Sequence, residues 1–172
     1  MFTFKGVSAA SMGIQCLPFT RVFHAPERVQ QTVIPGKSGT YDYTDNTYDN
    51  GSVSISAVYW GSTAPTTLRA VAAWLTGSGQ LIFDDEPDKA YTASVIEGFD
   101  VNRNHFEDSF TISFTVFPFA ESIGYNQLQA AAEILPYSQS VSANGTADSP
   151  CIIRITAVTD IDNLMIIKQK LI

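Results

Sequence analysis

Four carboxylates stand close together in the middle of the chain, and carboxylate oxygens are the ligands that calcium and magnesium prefer. They are Asp84, Asp85, Glu86 and Asp88. Their spacing lacks the central glycine and terminal glutamate of an EF-hand loop. Pro87 stands inside the cluster and indicates a tight connection between two strands. The cluster therefore predicts an acidic surface turn, and we expect no metal site.

Side chains suited to catalysis are few, because the chain has two histidines and two cysteines. His24 and His105 fall in a predicted loop and turn, and each could act as a base near neutral pH. No Gly-x-Ser-x-Gly motif is present. Cys16 and Cys151 form no Cys-x-x-Cys pattern, and we interpret both as buried thiols, with one long-range disulfide as the alternative. We expect no enzyme and no cofactor.

The charge balance argues against nucleic acid as a ligand. The net charge is −7, and no cluster of lysine and arginine is present. No apolar run has the length of a membrane span, and no signal peptide is recognisable, so we expect synthesis in a cytoplasm and no membrane insertion. Low charge (16%) together with 12% aromatic residues is typical of chains that cover part of their surface with partners.

Two long segments alternate apolar and hydroxyl side chains with the period of a half-buried strand. In residues 52–59 and 110–116, valine, isoleucine, alanine, tyrosine or phenylalanine occupy one face, and serine or threonine occupy most of the other. Shorter strands are predicted at residues 2–5, 28–34, 80–83 and 91–99. We therefore predict a mainly β fold, a β-sandwich-like domain with one helix.

The helix is predicted to begin at Pro65 and to stop at Gly77, since proline is favoured at helix starts and glycine just beyond helix ends. Its apolar stripe consists of Leu68, Val71, Ala72 and Leu75. So short a helix is unstable alone, and we expect the stripe to dock on the sheet.

Several glycines and prolines specify turns. The first set is Ile34, Pro35, Gly36 and Gly39; the second set is Gly77, Gly79 and Pro87, around the strand at 80–83. Proline followed by glycine predicts a type II turn, in which glycine supplies the positive φ. The segment 34–39 is not a phosphate-binding loop, because the first glycine of that motif is missing and no helix follows.

Residues 41–51 are polar and rich in turn formers, and they predict a projecting loop or hairpin. Within or beside it stand our candidates for contact with another chain: Tyr41, Tyr43, Tyr48 and Asp49. Tyrosines among carboxylates suit an interface, and a solvated hairpin tip is the alternative.

The character of the chain changes after residue 120. We predict a domain at 1–122, a linker at 123–140, and at 141–172 a short β appendage or the start of a truncated further domain. Strands are expected at 151–158 and 164–168. An isolated hairpin is marginal in water, so the appendage must pack on the main domain, on a neighbour or within a larger domain.

The order of these segments resembles the N-terminal domain of the distal tail proteins of long-tailed phages. The resemblance spans about residues 1–120 and rests on the ordered set 2–7, 12–14, 34–36, 48–49, 74–91 and 114–119. It implies a structural virion protein: a β-sandwich with a helix and a long projecting hairpin.

The resemblance also implies a hexameric ring hub that joins the tail tube to the tail tip or baseplate. Expected partners are further copies of the chain, the major tail protein, a tail-associated hub protein and sometimes a receptor-binding protein. The expected location is the virion tail, after synthesis in the bacterial host cytoplasm. Many members continue into a galectin-like sandwich, and residues 144–166 resemble its opening.

A monomeric glycan-binding β-sandwich is the alternative from another class. Trp60, Tyr41, Tyr43 and Tyr48 would then supply an aromatic platform for sugar rings. A hydrolase that uses His24 or His105 is a third possibility.

Overall fold

The computed structural model describes residues 1–21, 23–60, 63–104, 106–124, 127–132, 136–142, 145, 147, 152–157 and 165–167. The chain divides into two compact units, Met1–Gln129 and Ala130–Ile172. All helices and strands among the described residues lie in the first unit. Residues 152–157 and 165–167 are neither helix nor strand, and the other residues of the strands expected at 151–158 and 164–168 lie outside the described residues. The β appendage and the boundaries at 122 and 140 therefore stay predictions.

Eleven strands and one helix are found among the described residues, and they are named here in chain order. They are β1 (Phe2–Phe4), β2 (Val7–Ser8), β3 (Gln15–Cys16), β4 (Glu27–Val33), β5 (Thr40–Tyr48), β6 (Gly51–Trp60), α1 (Pro65–Leu75), β7 (Gly77–Phe83), β8 (Glu86–Val95), β9 (Asn102–Arg103), β10 (Glu107–Val116) and β11 (Glu121–Ser122).

Nine of these strands form one curled antiparallel sheet. Its order is β2-β1-β7-β8-β10-β6-β3, with β9 paired to β10 and β11 paired to β8. β4 and β5 form a separate two-stranded sheet. The prediction of a mainly β fold of sandwich type, with one helix, is confirmed.

The centre of the sheet is the antiparallel pair of β6 and β10, which runs from Trp60 opposite Glu107 to Gly51 opposite Val116. Paired residues share a face, so the apolar rows of both strands point into the same core. The inward side chains, each at most 4% exposed, include Val53, Ile55, Ala57, Phe110, Ile112 and Phe114. The predicted alternation is confirmed.

An aromatic cluster ties the N-terminal strand to this core. The Phe2 ring lies 5.6 Å from Phe114 and stacks on Trp74 at 5.9 Å, and Phe4 lies 5.2 Å from Phe114. Burying a side chain of this size stabilises the fold by about 1.5–3 kcal/mol. β1 is therefore an integral part of the core.

The helix packs through only part of its predicted stripe. Val71 and Leu75 are fully buried and Leu68 is half-buried, but Ala72 is exposed, which corrects the prediction. Val71 and Leu75 belong to the core cluster and Leu68 packs against it, so these side chains dock the helix. Its last turn carries no basic residue; instead the Lys5 ammonium donates to the Thr76 carbonyl and complements the negative helix end.

The turn between β7 and β8 is shorter than predicted. Asp84 and Asp85 form it, and Pro87 lies inside β8. The register between the strands shifts here, from Leu81 opposite Tyr91 to Phe83 opposite Glu86. Proline has no backbone N–H to donate to a neighbouring strand. A strand tolerates proline at a bulge or register shift, and Pro87 lies at this one.

Candidate partner-contact surface

Two of the four carboxylates in the acidic cluster pair with one half-buried arginine. Arg21, whose side chain is 9% exposed, places Nη2 at 2.7 Å from Asp85 Oδ2 and 3.1 Å from Glu86 Oε2. Its guanidinium lies 4.7 Å from the centre of the Phe83 ring. Within the part of the chain that the structure describes, no three His, Cys, Asp or Glu side chains could hold a metal ion.

The other candidates for chemistry are dispersed. His24 is exposed in a loop, and His105 and Cys151 lie outside the described residues. Cys16 is half-buried, and burial raises the pKa of its thiol. A thiol with a raised pKa is mostly protonated at neutral pH and is a poor nucleophile. No helix among the described residues has the length and apolar character needed to cross a membrane.

One long exposed feature of the first unit is the hairpin arm, defined here as residues 27–48. It consists of β4, a turn and β5, and every residue in it is exposed except the half-buried Tyr48. In the turn, Gly36 has φ +80° and the Lys37 amide donates to the Ile34 carbonyl at 3.1 Å. This is the type II geometry, which requires glycine at that position. Gly39 also has a positive φ, +89°.

The arm has two different faces. Tyr43 lies opposite Gln30 and Tyr41 opposite Thr32, so both tyrosines are on one face. Val29 and Val33 are on the other face, opposite Thr44 and Thr40. The exposed fractions reach 61% for Tyr43 and 70% for Val33. Both faces thus carry apolar or aromatic area that the first unit itself does not cover.

Near the tip of the arm, Lys37 and Tyr41 form a cation–π contact. The Lys37 ammonium lies 4.5 Å from the centre of the Tyr41 ring. Such contacts contribute about 0.5–1 kcal/mol at exposed sites. Tyr41 is therefore partly held by the arm itself, whereas Tyr43 is the more exposed of the two.

At its base, the arm is fixed by the other two candidates. The Tyr48 ring meets Phe119 edge to face at 5.1 Å. The Asp49 amide donates to the Pro26 carbonyl at 2.8 Å, and its carboxylate accepts from Arg28 Nε and Nη2 at 2.9 and 2.8 Å. The hydrogen bonds to the Asp49 carboxylate raise the pKa of Arg28 above its ordinary value. Tyr48 and Asp49 orient the arm, and Tyr41 and Tyr43 lie on its free part.

An irregularity in β5 bends the arm close to its base. Residues 45–47 lie opposite Arg28 alone, and Asn46 adopts φ +57°. Asparagine tolerates this left-handed conformation better than most residues. The Asp45 carboxylate accepts from the Thr47 hydroxyl and amide, and these hydrogen bonds lower the pKa of Asp45. The bulge increases the local twist of the two-stranded sheet.

One buried carboxylate was not among the predicted functional residues. Asp108, 1% exposed, accepts from the Thr63 amide at 2.8 Å, and Arg103 Nη2 donates to the Thr63 carbonyl at 2.6 Å. The Thr63 hydrogen bond lowers the pKa of Asp108, and Arg103 acts in the same direction. Asp108 lies on the face of β10 that otherwise carries apolar side chains. A carboxylate at such a position is the feature of the sequence that could have indicated a buried polar contact.

Most of the first unit is similar to a known protein family. The model of a family described as the phage tail protein RIFT-related domain matches residues 9–116. This chain belongs to that family. The match includes the whole hairpin arm, α1 and the central pair of β6 and β10. No curated protein sequence matches the chain.

A solved structure of the same fold is the distal tail protein (Dit, gp 19.1) of phage SPP1, titled a paradigm of the hub adsorption apparatus in phages that infect Gram-positive bacteria. The TM-score is 0.57 at 15% sequence identity. The alignment covers 70% of this chain and 51% of the SPP1 protein, so this family member spans about half the length of that relative.

Proposed function

We propose that this chain is a structural subunit of a phage tail hub, a hexameric ring that joins the tail tube to the tail tip. The observation that carries the proposal is the hairpin arm, a two-stranded sheet with almost no buried residue. An isolated two-stranded hairpin is marginally stable in water. The arm therefore needs a partner, and family membership supports a partner within a phage tail.

The partner of the arm in this proposal is a second copy of the chain. An arm of one copy that binds a different surface of the next makes a head-to-tail contact, which closes into a ring when the rotation allows it. The ring's two axial surfaces are then available to the major tail protein and to a tail-associated hub protein, and its side to a receptor-binding protein. The location is the virion tail, and the role is structural.

The native mass of the purified protein tests the proposal. Size exclusion with light scattering at several concentrations is expected to show a species of about 112 kDa, six times the chain mass of 18.7 kDa. A Tyr41→Ser/Tyr43→Ser variant is expected to lose this species. The matched Tyr41→Phe/Tyr43→Phe variant retains both aromatic side chains and is expected to form the hexameric species.

A monomer at every concentration contradicts the ring, and an unchanged native mass in the double serine variant contradicts the role of the tyrosine face. Both variants should retain the melting temperature of the monomer, because neither tyrosine is buried in the first unit.

The monomeric glycan-binding alternative required Trp60 and the tyrosines to form one platform. The tyrosines precede Gly51, whereas Trp60 is at the other end of β6. Nine steps along a strand span roughly 30 Å. One sugar cannot contact both groups, and the arm's tyrosines are better explained by a protein partner.

A further inference from the structure

A groove with a volume of about 580 Å³ lies at the end of β6 that is farthest from the hairpin arm. Sites for small ligands have volumes of roughly 300–1,000 Å³. The groove is lined by side chains from β6, β9 and β10 and from the loop that precedes β9. None of its residues belongs to the arm, so it is a separate feature of the first unit.

The strand register arranges side chains of this groove in rows. Asn102 pairs with Ser109, Ser109 with Val58, and Val58 with Gln15. Because paired residues share a face, two amides, a hydroxyl and an aliphatic side chain form one row across β9, β10, β6 and β3. Three spacings between strands amount to roughly 14 Å. Trp60 and its partner Glu107 belong to the next row.

Trp60 is a large apolar side chain that is fixed at the surface. Its indole Nε1 donates to Gln15 Oε1 at 2.5 Å, yet the side chain is 66% exposed. The hydrogen bond satisfies the only polar atom of the ring and orients its face. A rigid aromatic side chain offers contact area at a low cost in conformational entropy.

The polar groups around this ring are chiefly hydrogen-bond acceptors. Asp100 and Glu107 contribute carboxylates, and Ser109 and Asn102 contribute a hydroxyl and an amide. A ligand that matches the groove has an apolar face for the indole and several hydroxyl donors for the carboxylates. The net charge of −7 and these two carboxylates disfavour an anionic ligand.

We infer that this groove binds a neutral hexopyranose, with the C–H face of the sugar on Trp60 and its hydroxyls donating to Asp100 and Glu107. This inference does not rest on the hub function, because the groove and the arm are at opposite ends of β6. For an open site and a single sugar, we expect a dissociation constant on the order of 1 mM.

Saturation-transfer NMR on the full chain tests the inference. The probes are the methyl β-glycosides of glucose, galactose and N-acetylglucosamine, with N-acetylneuraminic acid as the anionic comparison. We expect transfer to at least one neutral glycoside and none to the anionic sugar. Trp60→Ala should abolish the transfer, whereas Trp60→Phe, which retains an aromatic face, should retain part of it.

Phe117→Ala is the matched control, because Phe117 is 59% exposed and follows the opposite end of β10 from Glu107. It should leave transfer unchanged. The inference is overturned if no neutral glycoside shows transfer, if Trp60→Ala binds as well as the wild type, or if the anionic sugar binds equally. Loss of the native oligomer in Trp60→Ala would also overturn it, since a neighbouring copy would then occupy the groove.

Discussion

β10 and β5 are both long antiparallel strands, but β10 packs on the core of its own chain and β5 does not. Alternate side chains of β10 are buried, whereas every residue of β5 except Tyr48 is exposed. β10 pairs with β6, β8 and β9, while β5 pairs with β4 alone. The sheet is stabilised by its own core, and the arm, in our proposal, by another copy of the chain. Substitutions in the two regions should therefore affect different measurements.

The largest expected effect is on the core. Phe114→Ala should lower the free energy of unfolding by about 3–5 kcal/mol, because it removes a buried ring and leaves a cavity. Tyr43→Ala on the arm should change it by less than about 0.5 kcal/mol. Urea denaturation of the monomer measures both values, and a similar loss in the two variants would show that the arm shares the core's stability.

Two glycines with a positive φ angle differ in how closely they are packed, so their substitution separates the effect of backbone strain from that of a steric clash. Gly13 has φ +76°, and a Cβ there would lie 2.9 Å from the Tyr59 ring; Gly36 has φ +80° with open space around it. Gly13→Ala should destabilise the monomer by about 1–3 kcal/mol. Gly36→Ala meets only the strain of the positive φ and no close contact, so it should lower the melting temperature of the monomer less than Gly13→Ala does. Equal melting temperatures for the two variants would be inconsistent with this distinction.

The arm's other face should affect association. Val33→Asp is expected to raise the dissociation constant of the oligomer at least about tenfold, which corresponds to about 1.4 kcal/mol. Val33→Ile keeps the apolar surface and should preserve association. Sedimentation equilibrium measures the constant. If Val33→Asp associates normally, the valine face is not part of the contact.

The smallest effect is on acid stability. The pKa of Asp108 is lowered in the folded state, so its contribution is present above the unfolded value near 3.9 and is lost as the pH falls through the folded value. Asp108→Asn should therefore lower the melting temperature near neutral pH and flatten its decline in acid. Asp45→Asn should act in the same direction with a smaller effect, because the Asp45 carboxylate is exposed on the arm and solvent screens its interactions. Melting curves of the two variants from neutral to acid pH would contradict this if they were identical.

The sequence predicted the regular parts of the sheet well. β6 and β10 each bury one face, and their alternation is therefore visible in the sequence. β2, β3, β9 and β11 have two residues each and carry no periodicity, so none was predicted. β5 exposes both faces, and only its pairing with β4 shows that it is a strand.

The sites were harder to predict, because they depend on contacts between distant residues. Tyr41 and Tyr48 stand seven residues apart in one polar segment, but only the register and the Phe119 contact give them different roles. Asp108 is linked to Thr63 from another part of the chain. The groove beside Trp60 combines three strands, β6, β9 and β10, with the loop before β9, and no local pattern indicates such a combination.

Amide hydrogen exchange at several protein concentrations tests most directly whether a neighbouring copy stabilises the arm. Amides of residues 27–48 should be protected in the concentrated oligomer and exchange rapidly after dilution to monomer. Amides of β6 and β10 should stay protected throughout. Arm amides that are equally protected in the monomer, or equally unprotected in the oligomer, would contradict the account.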